Sequence, residues 1–257
     1  MATATKQHRP VVSIEGLQTS VLRITEPCEI LFSEDCIFDT QTQDAIIVEA
    51  PNVRLINPKT RNSPRGIQVL APYCTIENPQ GENHNYMGLS WWGKTDHLTV
   101  LGGTYKRCAV GLYGVSNDHG ANHVTVEGTI IEDGLVTDFD KHLFGLQNGS
   151  YGYYDVTLRN GIDGFAAYQK QGCKMRYNTF HVKAENCATA FKFGGDANAE
   201  GELHNGNRLY LDAMNCQTGL RLKTKKTWKV YGTLTNCKLP FELTGADTDF
   251  NIKIRSL

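Results

Sequence analysis

The chain has almost no net charge and no long apolar segment. It contains 26 basic and 27 acidic residues, for a formal net charge of −1. Nucleic-acid binders derive much of their affinity from neutralising phosphates, so this balance argues against that class. The uncharged stretches are too short and polar to cross a bilayer, and the first residues, MATATKQHRP, lack the apolar core of a signal peptide. The sequence therefore predicts no membrane span, and it favours a cytoplasmic or virion-associated location over Sec-dependent secretion.

Helical periodicity and metal-binding cysteine pairs are also scarce. Few stretches repeat at the 3.6-residue period of an amphipathic helix. The eight cysteines do not show the C-x2-C spacing of a zinc site. Their spacing instead follows the internal repeat described next, which predicts a stack of small, buried, free thiols.

A short alternating pattern of apolar residues recurs about every 21 residues. Its first anchors, Ile46, Ile67, Leu89 and Val110, are separated by 21, 22 and 21 residues. The pattern returns, with longer gaps, at Phe144, Phe165, Phe191, Leu220 and Phe241. Alternation at period two indicates a strand with one buried face. Strands repeated at 20–30 residues are typical of a solenoid.

A second apolar column runs in phase with the first, as in Val53/Leu55 and Leu98/Val100. An asparagine marks the turn between the columns, at Asn57, Asn78, Asn160, Asn186, Asn215 and Asn236. Asparagine tolerates the left-handed backbone region and can hydrogen-bond to the next turn of a stack. Two strands and a turn in about 21 residues leave no room for a helix.

The predicted fold is all-β: a single-domain parallel β-helix of about nine or ten rungs over residues 20–257, with an N-terminal arm or cap over residues 1–19. The V-x-V/L-x-N units and their asparagine ladder resemble the right-handed parallel β-helix of the pectin-lyase-like superfamily. That resemblance implies a right-handed coil. It leaves function open, because the superfamily contains lyases, hydrolases, epimerases and non-catalytic virion or adhesin modules.

Side chains that alternate with the buried anchors are predicted to form a trough on one face. Four positions give a floor of small residues, at Ser90, Gly111, Gly145 and Ala166. The next outward positions give a wall of large residues, at Trp92, Tyr113, Gln147 and Tyr168. Aromatic residues with polar tips suit sugars, and four rungs at about 4.8 Å span roughly 15–20 Å. We therefore expect a surface for an oligo- or polysaccharide, although such aromatic residues also stabilise solenoids by stacking.

Three cations continue the same face beyond the trough. Lys192, Arg221 and Lys223 occupy outward positions of the following rungs. A cation there would neutralise a uronate carboxylate, or would remove the C5 proton if neighbouring cations lowered its pKa. Resemblance to the superfamily's lyases implies such a basic residue, often with calcium. Lys192 and Arg221 are therefore catalytic candidates, and Lys223 a substrate-binding candidate.

Other residues provide alternative chemistry. The extended segment 129–143 contains Asp138 and Asp140, and paired carboxylates are what a glycoside hydrolase needs. The same segment contributes His142 as a substrate-binding candidate, and His119 borders the trough as a further acid or base. Oxygen ligands that alternate in one loop give a weak signal for calcium, at Asp196, Asn198 and Glu200. No other metal site is predicted.

Two functions of different classes follow. The first is an enzyme that binds a glycan in the trough and cleaves it by lyase or glycoside-hydrolase chemistry. The second is a non-catalytic glycan-binding or structural module of a phage-tail or adhesin-type assembly, with oligomerisation through the exposed solenoid ends. The small-floored trough favours the first, and the absence of complete lyase or polygalacturonase motifs favours the second.

Overall fold

The computed structural model describes residues 10–93, 95–115, 121–135, 142–169, 175–195, 206–223, 228–244 and 251–256, and all regular structure within them is β. The strands in chain order are β1 Val11–Ile14, β2 Leu17–Gln18, β3 Leu22–Ile24, β4 Glu29–Phe32, β5 Ile37–Asp39, β6 Ile46–Val48, β7 Arg54–Ile56, β8 Lys59–Arg61, β9 Arg65–Val69, β10 Thr75–Glu77, β11 Gln80–Glu82, β12 Met87–Trp92, β13 Thr99–Leu101, β14 Thr104–Lys106, β15 Val110–Val115, β16 Thr125–Glu132, β17 His142–Gln147, β18 Tyr153–Arg159, β19 Asp163–Gln169, β20 Thr179–Glu185, β21 Thr189–Gly195, β22 Arg208–Met214, β23 Thr218–Lys223, β24 Lys229–Thr235, β25 Leu239–Thr244 and β26 Asn251–Ser256.

The strands stack in parallel into two sheets. The ten-stranded sheet has the order β25-β23-β21-β19-β17-β15-β12-β9-β6-β3, and the 16-stranded sheet contains the remaining strands. Apart from the strands at the two ends of the stack, each strand pairs with its counterparts in the preceding and following turns. Such stacking buries the apolar side chains, which one turn alone cannot do. The predicted all-β parallel solenoid is therefore confirmed.

In the N-terminal half, the 16-stranded sheet has two arms, which are separate runs of short strands. In the C-terminal half it has one run of longer strands. The short strands β13 and β14 both pair with the longer β16, one at Thr125–Glu127 and the other at Ile130–Glu132. From β18 onward a single strand of six or seven residues takes the place of two short ones. The register irregularity between Glu127 and Thr129, where β16 meets β18, lies where the two arms join.

This change of shape divides the predicted asparagine ladder into two. Asn57 and Asn78 turn the chain between the two short strands of a rung, whereas Asn160 and Asn186 follow the single strand of later rungs. All four have positive φ, and their side chains bond along the stack: Asn78 Nδ2 donates to Asn57 Oδ1 at 3.3 Å, and Asn186 Nδ2 to Asn160 Oδ1 at 3.2 Å. The predicted turn role is confirmed, but the prediction of one continuous column is wrong.

The core lies between the sheets and contains the anchors of both apolar columns. Phe144, Phe165 and Phe191 from the ten-stranded sheet are fully buried, as are Phe180 and Trp228 from the opposite side. Their rings stack along the axis, with Phe165 and Phe191 centroids 5.2 Å apart. The described cysteines are free, and all except the half-buried Cys237 are buried, as the repeat predicted.

One predicted anchor is displaced by two residues. Leu112, not Val110, pairs with Leu89 and with Phe144. Val110 and Leu112 fit the same alternating pattern, so the sequence does not distinguish them. Gly111 consequently faces the interior, where a Cβ would overlap Ile131. The expectation that Gly111 belongs to the floor of the outer face is therefore wrong.

The paired strands begin at Val11, inside the range 1–19 that the sequence assigns to an N-terminal arm or cap. Strand β1 pairs with β4 along its whole length, and β2 pairs with β5. In the part of the chain that the structure describes, no helix is long and apolar enough to span a membrane.

Candidate functional site

The outer side of the ten-stranded sheet carries a continuous row of rings. Four consecutive strands contribute one ring each, and we call these rings the aromatic row: Trp92, Tyr113, His142 and Tyr168. Neighbouring ring centroids lie 6.5 Å, 5.7 Å and 5.4 Å apart along the row. The row follows the solenoid axis over about 15 Å at the usual strand spacing.

Strand alternation places these rings on the outside. Trp91 and Leu112, the neighbours of Trp92 and Tyr113, are fully buried in the core. Trp92 and Tyr113 themselves are half-buried and contact each other on the outer face. The shared outer location that the sequence predicted for these two residues is confirmed.

The register differs from the predicted one within this face. Tyr113 lies between Ser90 and Gly145 in the first outward column, not beside Trp92 in the second. The small residues therefore form a packed layer beneath the rings. Ser90 is fully buried, and a Cβ on Gly145 would overlap both His142 and Tyr113. Gly145 allows the two rings to lie close against the sheet.

His142 and Tyr168 form a hydrogen-bonded pair. The Tyr168 hydroxyl lies 3.0 Å from His142 Nδ1. His142 is 2 % exposed, and burial is the main cause that lowers the pKa of its imidazole to about 4, with nearby Lys192 acting in the same direction and Asp163 opposing it. The imidazole is therefore neutral at pH 7 and holds the hydroxyl in a fixed place.

Lys192 continues the aromatic row on the next strand. Its Nζ lies 3.1 Å from Asp163 Oδ2 and 5.9 Å from the centroid of the Tyr168 ring. Asp163 aligns with His142 in the strand pairing of β17 and β19. The ammonium, the carboxylate, the hydroxyl and the imidazole thus form one cluster on three adjacent strands. Only Asp163 accepts from Lys192 among the described residues, so further donors of the ammonium remain for a ligand.

The other predicted residues of this face lie near the cluster. Gln147 aligns with Tyr168 and is 6 % exposed. Arg221 aligns with Lys192, and its Nε donates to Glu242 Oε2 at 2.7 Å. The backbone of Lys223 aligns with Thr244 in the next rung.

Several predicted residues lie outside the described residues. They are His119, Asp138 and Asp140, together with the oxygen ligands proposed for calcium, Asp196, Asn198 and Glu200. The part of segment 129–143 that the structure describes includes the end of strand β16 and the start of β17. Among the described residues, no three or more His, Cys, Asp or Glu side chains are grouped as a metal ion requires.

Asp163 and Arg65 are members of this face that the sequence pattern did not single out. Asp163 lies two residues before the anchor Phe165, and His142 lies two before Phe144. Residues two before an anchor thus form another outward column, to which Arg65 also belongs. Met87 and Val110 hold the same position and are fully buried, and a residue two before an anchor shares the anchor's phase, so alternation in the sequence does not mark this column as outward.

Comparison with solved structures supports the fold. The chain is similar to an alginate lyase from Paenibacillus sp. str. FPU-7, with a TM-score of 0.55 and 11 % sequence identity, over 97 % of this chain and 94 % of that one. No protein-family model matches the sequence, and no curated protein matches it. At this identity the similarity shows a shared solenoid fold and leaves the chemistry to the site itself.

Proposed function

We propose that this protein is a polysaccharide lyase, which cleaves a uronate-containing chain by β-elimination on the aromatic row. The cluster of Tyr168, His142, Lys192 and Asp163 carries the proposal. The fold neighbour is an alginate lyase, which adds support at the level of fold.

Elimination from a uronate needs a cation at the carboxylate and a group that moves protons. As a base removes the C5 proton, the electron pair of that bond forms a double bond between C4 and C5 while the C4–O bond breaks. The electron pair of the C4–O bond leaves with the departing oxygen, which takes a proton. Neutralising the carboxylate stabilises the negative charge that develops beside C5.

Lys192 fits the role of the cation. Its ammonium is already positioned by the Asp163 carboxylate at 3.1 Å and lies near the Tyr168 ring. An ammonium held in an ion pair suits charge neutralisation better than proton abstraction. The sequence alone left both roles open for Lys192, and we assign it the first. Arg221, one strand away, extends the positive side of the cluster.

Tyr168 fits the role of the proton carrier. A neutral imidazole has one donor and one acceptor nitrogen, and the tautomer decides which faces the hydroxyl. With Nδ1 protonated, His142 donates to the Tyr168 oxygen, and the hydroxyl hydrogen points to the substrate. In one step Tyr168 gives this proton to the departing oxygen while its own oxygen takes the C5 proton, so it ends the reaction unchanged.

The test is the ultraviolet absorbance of unsaturated uronate products over a panel of polyuronates, with reducing ends measured in parallel. We expect Lys192→Ala and Tyr168→Phe each to lower the rate by about a hundredfold or more. Lys183→Ala and Tyr210→Phe, exposed positions on the 16-stranded sheet, serve as matched controls with normal activity.

Other products would identify another function. Reducing ends without unsaturation, lost in Asp138→Asn or Asp140→Asn, would establish hydrolysis instead. Glycan binding with neither product would establish the non-catalytic module. Full activity in Tyr168→Phe would remove the proposed proton carrier.

A further inference from the structure

A second cation lies at the other end of the aromatic row. Arg65 is on β9, the strand before the one that contributes Trp92, and its Cζ lies 5.9 Å from the Trp92 ring centroid and 4.9 Å from that of Tyr86. The order along the face is therefore Arg65, Trp92, Tyr113, His142, Tyr168 and Lys192. Arg65 and Lys192 are five strand spacings apart, or about 24 Å.

The two cations have similar surroundings. Asp44 Oδ2 accepts from Arg65 Nη1 at 3.0 Å, and Asp163 Oδ2 accepts from Lys192 Nζ at 3.1 Å. Each cation also lies against an aromatic ring of the row. A carboxylate on one side and a ring on another orient a cation while leaving part of it for a ligand.

Arg65 retains donors that have no acceptor among the described residues. Within the described part of the chain, the guanidinium bonds only through Nη1 to Asp44. Its Nε and the neighbouring Trp92 Nε1 are buried without a hydrogen-bond partner. Buried donors are nearly always paired in folded proteins, and a bound group with acceptor atoms would pair these two. A guanidinium bound on one nitrogen can still receive a carboxylate.

The surface between the cations suits a long sugar chain. Arg65, Trp92 and Tyr113 form the outer layer over Met87 and Ser90, which are fully buried. The half-buried rings of Trp92, Tyr113 and Tyr168 thus lie between two positive ends, with the buried His142 ring between Tyr113 and Tyr168. Sugar rings pack on aromatic rings through their apolar faces.

We propose that Arg65 and Trp92 form a second carboxylate subsite. It binds a uronate of the same polysaccharide chain, several sugar units away from the uronate at Lys192. This proposal rests on the proposed function, because it takes Lys192 as the cation at the reacting sugar. It makes a polyuronate that spans both cations the preferred substrate, in contrast to short oligouronates or neutral polysaccharides.

The test compares Arg65→Met with Arg61→Met. Arg61 has a similar ion pair, with Asp39 at 2.7 Å, but it is on β8 of the other sheet. We expect Arg65→Met to raise KM for polyuronate about tenfold, with kcat and the rate on uronate trisaccharides unchanged. Arg61→Met should match the wild type on both substrates.

Binding provides a second measurement that needs no catalysis. Of the three tryptophans, Trp91 and Trp228 are fully buried and Trp92 is half-buried. Titration with polyuronate should change the intrinsic fluorescence of the wild type, and Trp92→Phe should abolish the change. Arg65→Met should shift the titration to about tenfold higher concentration.

The outcomes separate the two proposals. If Lys192→Ala abolishes elimination but Arg65→Met equals Arg61→Met on every chain length and in the titration, the second subsite is refuted while the lyase function stands. If no polyuronate yields unsaturated product but Arg65→Met weakens the fluorescence titration, the subsite is supported and the lyase function is refuted. If polyuronate produces neither product nor fluorescence change, both proposals are refuted.

Discussion

Acidification should destabilise this protein through two buried histidines. His84 is fully buried in the core, where Nδ1 lies 3.0 Å from Ser63 O and Nε2 lies 3.0 Å from Thr60 Oγ1. Burial is the main cause that lowers its pKa from 6.5 to about 4. His142, on the outer face, has a pKa lowered to about 4 mainly by the same cause.

The direction of the pH dependence follows from whether the folded or the unfolded state binds more protons. Below pH 6.5 an unfolded chain protonates these histidines, whereas the folded protein keeps them neutral down to about pH 4. Stability from each group is therefore fully present above pH 6.5 and falls as the pH drops to about 4. The difference of 6.5 − 4, multiplied by about 1.36 kcal/mol per unit, gives roughly 3 kcal/mol for each histidine. Two such losses are comparable to the total stability of many domains, about 5–15 kcal/mol.

Urea unfolding between neutral pH and about pH 4 measures this effect. The wild type is compared with His84→Gln and His142→Gln. Each variant should lose part of the pH dependence, by roughly 3 kcal/mol over this range, whatever its stability at neutral pH. The comparison uses the change in unfolding free energy with pH and not its value at one pH, because His84→Gln also removes two hydrogen bonds. If both variants retain the wild-type slope, the buried neutral histidines are not the source of acid sensitivity.

Four further substitutions test the geometry of the face and the turns. Gly145→Ala should lower elimination activity and lower the free energy of unfolding by about 1–3 kcal/mol, because its Cβ would overlap His142 and Tyr113. If this variant keeps both the activity and the stability of the wild type, the proposed packing is wrong. Gly194→Ala, on the same sheet with open space around the added Cβ, is the matched control and should show normal activity. Asn186→Ala should lower the free energy of unfolding by about 1–2 kcal/mol, because the φ of Asn186 is 54°. Asn186→Gly should lower it less, because glycine adopts positive φ without strain. Equal losses of stability in the two variants on thermal unfolding would show that backbone strain is not the cause.

The repeat in the sequence predicted the architecture because the same physics acts at every turn. Pairs such as Val53/Leu55 and anchors such as Phe165 alternate at period two, and only a stack of strands buries all of them. Positive φ at Asn160 and Asn186 likewise follows from one residue type at one point of each turn. These features are local, so they are readable from the chain.

The register near Tyr113 was not readable in this way. Val110 and Leu112 are both apolar and alternate in the same phase, so either could serve as the anchor. Pairing with Leu89 and Phe144 selects Leu112. A shift of two residues keeps Tyr113 on the outer face, as predicted, but moves it to the column above Gly145, beside His142.

The sequence by itself determined that strands would stack and that Trp92, Tyr113, Tyr168 and Lys192 would share one side, because period-two alternation fixes the side of a sheet to which each residue belongs. Only the tertiary structure decided that Tyr168 bonds to His142. It also decided that Lys192 pairs with Asp163 and that a second cation closes the far end of the row. Those contacts join residues from different turns at distances of a few ångströms, and they depend on strand register and side-chain packing across neighbouring turns, which no single turn encodes.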